Sequence, residues 1–200
     1  MRLVAISQRV EIVESRKERQ DVVDQRLAEF VQYAGYLPVA IPNTLATFDN
    51  KRLHAWLEKM EPSAVLLSGG NDIGADAPER DATEQYLLSW AFMHKLPVLG
   101  ICRGMQMMGR WAGVELKKTQ GHVSTFHRLQ GVLNGIVVNS YHNFSLATCP
   151  DGFKVLAQSE DGEIEAIGHL ALPWQGWMWH PERDIVFSEQ NINLIKHMFR

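Results

Sequence analysis

The apolar positions in the first hundred residues follow two different periods. Short apolar runs at Leu3–Ile6, Leu37–Ile41 and Ala64–Leu67 have the length of buried strands. Between these runs, Asp21–Ala34 and Asn50–Met60 carry apolar side chains every three or four residues, which is the spacing of an amphipathic helix. Strands that alternate with helices predict an α/β fold built on a mainly parallel, doubly wound sheet with flanking helices.

The polar stretch between the first strand and the first helix, Ser7–Gln20, is rich in charged residues. Such a stretch predicts a solvated loop. Arg9 is the exception, because it directly follows a strand whose carboxyl end borders the ligand crevice of an α/β sheet. We therefore expect Arg9 on the substrate side. Helical spacing returns further along, in Asp81–His94 and in Asn191–Phe199.

From Val114 onward the helical spacing stops, and short runs typical of strands take its place. They lie at Val132–Leu133, Ile136–Val138, Phe153–Ala157 and Glu163–Ile167. The dipeptide Asp161-Gly162 is typical of a hairpin turn. These features predict a small antiparallel extension of the sheet, and the length of 200 residues suits a single domain over residues 1–200.

The apolar run Leu96–Ile101 leads directly into a helical pattern that begins after Cys102. Gly100 and Gly104 allow the sharp strand-to-helix turn that exposes a nucleophile at its corner. The helix N-terminus beneath the sulfur carries a partial positive charge, which favours the thiolate. The segment therefore predicts Cys102 as a nucleophile, and such a nucleophile needs a general base elsewhere in the chain.

A candidate for that base is His180, which lies in a Trp-His-Pro-Glu sequence at the end of a mostly apolar run. Glu182 follows two residues later, so both side chains can point the same way from an extended strand end. A carboxylate placed in this way can hold the imidazole by its second nitrogen. We therefore predict a catalytic triad of Cys102, His180 and Glu182.

The bulk composition indicates a globular protein and gives no sign of a nucleic-acid-binding or membrane-spanning one. Apolar residues make up 46% and charged residues 22%, as in ordinary globular proteins. The net charge of −3 gives no indication of binding to nucleic acid or to an anionic membrane. No apolar run approaches the roughly 18 residues that a membrane span needs. The two cysteines, of which Cys149 is predicted to be an inert thiol, suit a reducing cytoplasm.

Four motifs together resemble the class I glutamine amidotransferase superfamily, in which the nucleophile belongs to a triad. They are Gly100–Gln106, Trp179–Glu182, Leu67–Ile73 and Asn139–His142. The last two are most similar to its free-standing γ-glutamyl hydrolases, which include the γ-glutamyl-γ-aminobutyrate hydrolases. The motifs are specific in combination, and the resemblance covers nearly the whole chain.

The segments Ile6–Arg9, Asp24–Arg26 and Met178–Arg183 also resemble the γ-glutamyl-CDP-amidate hydrolases of bacterial capsule pathways. One position departs from the superfamily, which usually has a glutamine two residues before the histidine where this chain has Met178. Arg103 also stands where leucine or tyrosine is common. Its side chain is therefore expected either to pack outward or to contact substrate.

Residues near the nucleophile have predicted roles in binding the glutamyl group. The backbone N–H groups of Gly70, in a two-glycine turn after a strand, and of Arg103 are predicted to form an oxyanion hole. Gln106 lies one helical turn after the nucleophile, and the resemblance implies that it holds the glutamyl group. The resemblance also implies that Ser140 and Tyr141 bind the charged ends of that group, mostly through their backbone.

Other polar residues of the motifs leave alternatives open. The resemblance implies that His142 lies in the substrate pocket. Asn71 is expected either to bind substrate or to cap the next segment. Glu165 is either a surface strand residue or a group near the leaving-group side. His122, His127 and His142 raise the question of a metal, but no two of them have a recognised ligand spacing, so no metal is predicted.

The chain is therefore predicted to be a cysteine-dependent hydrolase that releases glutamate from a small-molecule γ-glutamyl substrate without a cofactor. The predicted substrate is γ-glutamyl-CDP-amidate, whose phosphates would be bound by Arg9, Arg16, Arg19 or Arg103. The alternatives are a γ-glutamyl-amine hydrolase, a glutaminase subunit that feeds ammonia to a separate synthase, and a non-enzymatic, chaperone-like protein of the same fold. The oligomeric state is left open, with a homodimer among the options.

Overall fold

A central eight-stranded sheet organises the computed structural model, which describes residues 1–47 and 49–200. The strands in chain order are β1 (Leu3–Ile6), β2 (Arg9–Val13), β3 (Glu18–Val22), β4 (Leu37–Ala40), β5 (Ala64–Leu67), β6 (Val98–Ile101), β7 (Leu116–Lys118), β8 (Val123–Arg128), β9 (Gln130–Gly131), β10 (Val137–Tyr141), β11 (Phe144–Leu146), β12 (Phe153–Gln158), β13 (Ile164–His169) and β14 (Trp174–Trp177). The central sheet has the order β4-β1-β5-β6-β14-β13-β12-β9.

Strand direction divides this sheet into two parts. The five strands from β4 to β14 run parallel to one another. Strands β13, β12 and β9 continue the sheet with antiparallel pairing. This arrangement confirms the predicted α/β fold, a mainly parallel sheet with an antiparallel extension. Three further two-stranded sheets pair β10 with β8, β11 with β7 and β2 with β3.

Helices cover both faces of the parallel part. They are α1 (Gln25–Tyr33), α2 (Lys51–Met60), α3 (Pro78–His94), α4 (Arg103–Trp111) and α5 (Glu189–Met198). Successive residues of β5 show the two sides, because Leu66 belongs to the core under α1 and α5 and Leu67 to the core under α2, α3 and α4. Each face therefore buries its own apolar core. Across residues 1–47 and 49–200, no helix has both the length and the apolar character to cross a membrane.

The stretch Ser7–Gln20 is not the solvated loop that its charge predicts. Strands β2 and β3 form an antiparallel hairpin that continues to Val22, so α1 begins at Gln25 and not at Asp21. The prediction was wrong because polar side chains lie on both faces of the hairpin. Val10 is buried while Ile12 is 44% exposed, which leaves little period-two alternation to detect.

The antiparallel extension was predicted in part. The runs Phe153–Ala157 and Glu163–Ile167 coincide closely with β12 and β13. The run Val132–Leu133, by contrast, lies outside the strands, and β8 at Val123–Arg128 was not predicted. Strand β8 is mostly exposed and, among the described strands, pairs only with β10, so its sequence carries no clear apolar period.

The carboxyl ends of the parallel strands meet at one edge of the sheet. Ser7 follows β1, Ser68–Gly70 follows β5, Cys102 follows β6, and the segment Met178–Glu182 follows β14. Ligands bind at this edge in open α/β sheets. The candidate site therefore lies where four separate parts of the sequence converge.

Candidate active site

Cys102 occupies the sharp turn between β6 and α4. Its backbone has φ +50° and ψ −104°, in a region that residues with a side chain seldom adopt. A Cβ at Gly100 would lie 2.6 Å from the carbonyl carbon of Gly104, and a Cβ at Gly104 would lie 2.3 Å from the carbonyl oxygen of Leu67. Both glycines are therefore needed for the close approach of α4 to the sheet.

His180 and Glu182 meet beside this turn, after the end of β14. The imidazole Nδ1 of His180 lies 2.6 Å from Oε1 of Glu182, and both side chains are buried. A Cβ at Gly69 would lie 2.5 Å from Cε1 of the ring, so only glycine leaves room for the imidazole. Sequence reasoning had identified the glycine pair at Gly69 and Gly70 but not this contact.

The surroundings of His180 keep its imidazole protonated at neutral pH. Burial alone would lower the pKa of His180, but its interactions with Cys102 and Glu182 outweigh this effect and raise the pKa to about 9. An imidazolium beside a thiol stabilises the thiolate. The pair is therefore suited to nucleophilic attack followed by proton donation.

Asn139 fixes the backbone of His180, a role that the sequence did not reveal. The side-chain Nδ2 of Asn139 donates to the His180 carbonyl at 2.8 Å, and its Oδ1 accepts from the His180 N–H at 2.9 Å. The same Nδ2 lies 3.1 Å from Oδ1 of Asp184. This two-point contact ties the strand β10 to the histidine segment and sets the direction of the imidazole.

Arg80 holds the loop after β5 by its carbonyl groups. The guanidinium donates to the carbonyl oxygens of Ser68 at 2.6 Å, Gly69 at 3.0 Å and Gly70 at 2.8 Å. The Gly70 N–H has no acceptor within residues 1–47 and 49–200, and the residue has φ +89°. Because Arg80 holds the carbonyl groups of the loop, its N–H groups remain available to a substrate oxygen, as a preorganised oxyanion hole requires.

The side chain of Arg103 takes neither of the two courses that the sequence left open. It is buried and pairs with Asp81 and with Glu84, both on α3. Glu84 also accepts from Ser7 at 2.7 Å and from Arg80 at 2.9 Å. We call Arg80, Asp81, Glu84 and Arg103 the arginine network. It anchors the residue that directly follows Cys102.

Opposite charges keep this network ionised despite its burial. Burial raises the pKa of Glu84, but the charges of Arg103 and Arg80 outweigh it and the pKa lies below its ordinary value. Burial lowers the pKa of Arg80 to about 10, partly offset by the charge of Glu84. Both groups are therefore charged at neutral pH, and each has an opposite charge within the network. The Nε of Arg103 is buried without a hydrogen-bond partner among residues 1–47 and 49–200.

Most of the predicted site residues line one cavity of about 130 Å³ that contains the thiol. They are Gly70, Asn71, Cys102, Arg103, Gln106, Tyr141, His142 and His180. Gln106 is buried there, and its Nε2 donates to the Phe144 carbonyl at 3.0 Å. A larger cavity of about 550 Å³ is lined by Arg19, one of the candidate phosphate ligands, and by Thr44, but by none of the residues predicted to react with the glutamyl group or to hold it, so volume alone does not mark the chemistry.

Asn71 and Arg9 connect the candidate site to the β2–β3 hairpin. The amide of Asn71 accepts from the Val10 N–H at 2.8 Å and donates to the Val10 carbonyl at 2.9 Å. Arg9 packs against Gly70 and pairs with Glu11 at 2.8 Å. Arg9 lines a small cavity on the other side of His180, so it lies at the edge of the site and outside the main cavity.

The β10 residues with predicted roles face different ways. Ser140 is fully buried, and its hydroxyl donates to the His122 carbonyl at 2.8 Å. Tyr141 is 39% exposed, and its ring packs edge-on against His180 with 6.0 Å between centroids. The guanidinium of Arg183 lies 4.5 Å from the centre of the Tyr141 ring. Arg183 also lines the main cavity, and its position directly after Glu182 was the signal that could have identified it.

Comparison with known proteins identifies the family of this chain. The family model described as glutamine amidotransferase class-I matches residues 20–199. The γ-glutamyl-CDP-amidate hydrolase of Campylobacter jejuni is 32% identical over 141 residues, which are 68% of this chain and 69% of that protein. The glutamine-hydrolyzing GMP synthase of Wolinella succinogenes is 29% identical over 190 residues, which are 88% of this chain and 33% of that protein.

A solved structure shares the fold. A candidate GMP synthase subunit from Thermoplasma acidophilum superimposes with a TM-score of 0.71 at 17% sequence identity. The match covers 100% of this chain and 92% of that one, and at this identity it speaks for the fold alone. The family match over 20–199 carries the assignment, and the chain belongs to the class I glutamine amidotransferase family.

Proposed function

We propose that this protein hydrolyses a γ-glutamyl amide, with Cys102 as the nucleophile, His180 as the acid and base, and Glu182 as the group that orients His180. The observation that carries the proposal is the meeting of His180 and Glu182 beside the thiol, at 2.6 Å between Nδ1 and Oε1. The hydrolase relative from Campylobacter jejuni supports the same reaction class.

In the first half of the reaction, the Cys102 thiolate attacks the γ-carbonyl carbon and a carbon–sulfur bond forms. The carbonyl oxygen becomes negative and accepts from the backbone N–H groups of Gly70 and Arg103. His180 then gives its proton to the departing nitrogen, and the carbon–nitrogen bond breaks. The products of this half are a free amine or amide and a γ-glutamyl thioester on Cys102.

In the second half, neutral His180 takes a proton from water while the water oxygen attacks the thioester carbon. The carbon–sulfur bond breaks, glutamate leaves, and Cys102 returns as a thiolate beside a protonated His180. Glu182 holds the imidazole by Nδ1, so Nε2 serves both proton transfers. The remaining substrate contacts are proposed for Gln106, His142, and the backbone of Ser140 and Tyr141.

The finer proposal for the substrate is γ-glutamyl-CDP-amidate. It rests on the 32% identical relative of that name and on two arginines near the thiol, Arg183 in the cavity lining and Arg9 at its edge. Of the other candidates, Arg103 is buried in the arginine network, while Arg16 and Arg19 pair with Glu18 and Glu79 and line neither of these two cavities. Arg183 thus replaces Arg103 as the proposed phosphate ligand.

A second candidate is a glutaminase that supplies ammonia to a separate synthase. The observation that favours it is the match to one third of a glutamine-hydrolyzing GMP synthase, which leaves two thirds of that protein without a counterpart here. The two candidates share the chemistry at Cys102. They differ in the leaving group and in the need for a partner protein.

The test is glutamate release from L-glutamine, γ-glutamyl-γ-aminobutyrate and γ-glutamyl-CDP-amidate, with Cys102→Ala beside wild type. We expect the substitution to lower turnover by at least about 1,000-fold and to abolish a γ-glutamyl adduct seen by intact mass. Cys149→Ala is the matched control, because this thiol lies outside the cavity. Folded wild-type protein that releases no glutamate from any of the three would contradict the free-standing hydrolase.

The choice of substrate has its own test. Arg183→Gln is expected to raise KM for γ-glutamyl-CDP-amidate and to leave KM for L-glutamine nearly unchanged. Release from glutamine alone would favour the ammonia supplier. An equal effect of Arg183→Gln on both substrates would contradict the phosphate contact.

A further inference from the structure

Behind the catalytic cavity, strand pairing brings together residues that are far apart in sequence. His122 precedes β8, His127 lies on β8, His142 follows β10 and Glu165 lies on β13. Glu165 is fully buried, yet neither of its carboxylate oxygens has a hydrogen-bond partner in the described part of the chain. We call His122, His127, His142 and Glu165 the histidine cluster. A buried carboxylate without a donor is costly, so the cluster needs a positive charge.

The hydrogen bonds around the cluster decide where its histidines carry their protons. The Nδ1 of His142 lies 3.0 Å from the Phe144 carbonyl, which can only accept, so this Nδ1 carries the hydrogen. The Nε2 of His122 lies 2.9 Å from Oδ2 of Asp161, an acceptor at neutral pH, so this Nε2 carries the hydrogen. Neutral His122 and His142 therefore turn their lone pairs, on Nδ1 and Nε2 respectively, toward Glu165.

These two nitrogens and one carboxylate oxygen form a compact triangle of acceptors. His122 Nδ1 lies 3.2 Å from Glu165 Oε1 and 3.3 Å from His142 Nε2, and His142 Nε2 lies 3.5 Å from Glu165 Oε1. Ligands bound to zinc at about 2.05 Å with tetrahedral angles are about 3.3 Å apart. Octahedral angles would bring such atoms to about 2.9 Å, so the triangle fits four-coordination better.

We propose that His122, His142 and Glu165 form a binding site for a divalent transition metal of the zinc class, with His127 in reach as a fourth ligand. His122, His127 and Glu165 each offer a ligand atom within 4.8 Å of the others. The Nε2 of His127 is buried and has no partner among residues 1–47 and 49–200. Three imidazoles and one carboxylate suit such a metal and do not suit calcium or magnesium.

The surroundings of the triangle are those of a metal site. Histidines that bind metals donate their other N–H to a carboxylate or a backbone carbonyl. His122 does so to Asp161, and His142 does so to Phe144. A bound ion would fasten the β8–β10 sheet to β13 of the central sheet. Since His142 also lines the catalytic cavity, the ion would hold that wall of the cavity in place.

The test uses the full chain, stripped of metal with a chelator and titrated with Co²⁺, whose visible bands report coordination. We expect one Co²⁺ per chain with the spectrum of a four- or five-coordinate site, and displacement by Zn²⁺. Glu165→Gln is expected to abolish the bands. Asp161→Asn, which weakens the support of His122 without removing a proposed ligand, is expected to weaken the affinity about 10- to 100-fold.

Glu163→Gln is the matched control, because Glu163 precedes the same strand but pairs with Lys117 at 3.0 Å. It should bind Co²⁺ as wild type does. Folded wild-type protein without the bands would overturn the proposal. Equal binding by Glu165→Gln, or equal loss in Glu163→Gln, would overturn it as well. The wild-type measurement decides the matter even if a variant does not fold.

Discussion

Glu84 and Glu165 are both fully buried and both stand behind the catalytic cavity, but their neighbours differ. Glu84 faces donors, with Ser7, Arg80 and Arg103 all within hydrogen-bonding contact. Glu165 faces the lone pairs of His122 and His142. The arginine network therefore brings its own positive charge, while the histidine cluster has acceptors only, unless it gains a proton or an ion.

The difference teaches how a buried carboxylate can serve a site in two ways. A carboxylate paired within the protein holds its neighbours permanently, and in this chain those neighbours are the loop of Gly70 and the residue after Cys102. A carboxylate without an internal partner holds its neighbours only when a cation is bound. The arginine network thus holds one wall of the cavity as soon as the protein folds. In our proposal, the histidine cluster holds the other wall only when an ion is bound.

The largest expected effect is the loss of the arginine network. Glu84→Gln leaves Arg80 and Arg103 buried without their shared charge, and we expect the free energy of unfolding to fall by about 3–5 kcal/mol. For a chain of this length, the Tm should fall by about 6 °C or more. Thermal unfolding followed by calorimetry measures this change.

Glu79→Gln is the control for that measurement. Glu79 pairs with Arg19, whose side chain is 44% exposed, so we expect a loss below about 1 kcal/mol. Similar losses for Glu79→Gln and Glu84→Gln would show that the network is no more important than a surface ion pair.

A smaller effect is expected when the charge of the network stays but its geometry changes. Arg80→Lys keeps one positive charge but cannot donate to the carbonyls of Ser68, Gly69 and Gly70 together. The oxyanion loop should then be held less well, and kcat should fall by about 10- to 100-fold with little change in KM. Steady-state kinetics on the best substrate of the panel separates the two constants. A change confined to KM would contradict a positioning role for Arg80.

The pH dependence of activity is expected to report on His180 and Cys102, and not on the arginine network or the histidine cluster. The pKa of His180 is raised to about 9, so kcat/KM should fall as the pH rises through about 9 and the imidazolium is lost. The sign for stability is the same. The raised pKa adds stability that is complete below the ordinary value near 6.5 and is lost as the pH rises through about 9.

Glu182→Gln sharpens this measurement. It removes one of the interactions that raise the pKa of His180, so the alkaline limb of the kcat/KM profile should move to lower pH. An alkaline limb that stays in place would show that a different group controls it.

The smallest expected effect concerns Glu165 in the metal-free protein. Glu165→Gln removes an unpaired buried charge and supplies an N–H₂ group to the lone pairs of His122 and His142. We expect the free energy of unfolding either to fall by less than about 1 kcal/mol or to rise. The same calorimetry that detects Glu84→Gln measures it. A loss as large as that of Glu84→Gln would mean that Glu165 is already paired in the metal-free protein.

The parallel core was predictable because its signals are local. Each strand and helix there shows its own period, and the turn at Cys102 is marked by Gly100 and Gly104 within the same few residues. The pair His180 and Glu182 is likewise separated by only two positions. Such features depend on neighbouring residues, which a single sequence displays directly.

The remaining features depend on distant pairing, which a single sequence does not display. Arg103 meets its partners because α3 and α4 pack together, and Asp81 and Glu84 are about twenty residues away. His122 and Glu165 are joined by the pairing of β8 with β10 and the position of β13. Ligand spacing along the chain therefore gave no sign of the histidine cluster.

The backbone angle at Cys102 has a consequence for the evolution of this chain. Residues held at positive φ cost folding stability of about 1–3 kcal/mol, and φ at Cys102 is +50°. Glycine at that position would relieve the cost, so a search for more stable variants would favour Cys102→Gly and remove the proposed nucleophile. Heat tolerance and turnover are opposed at this one residue, and a thermostabilised form of the protein must find its gain elsewhere.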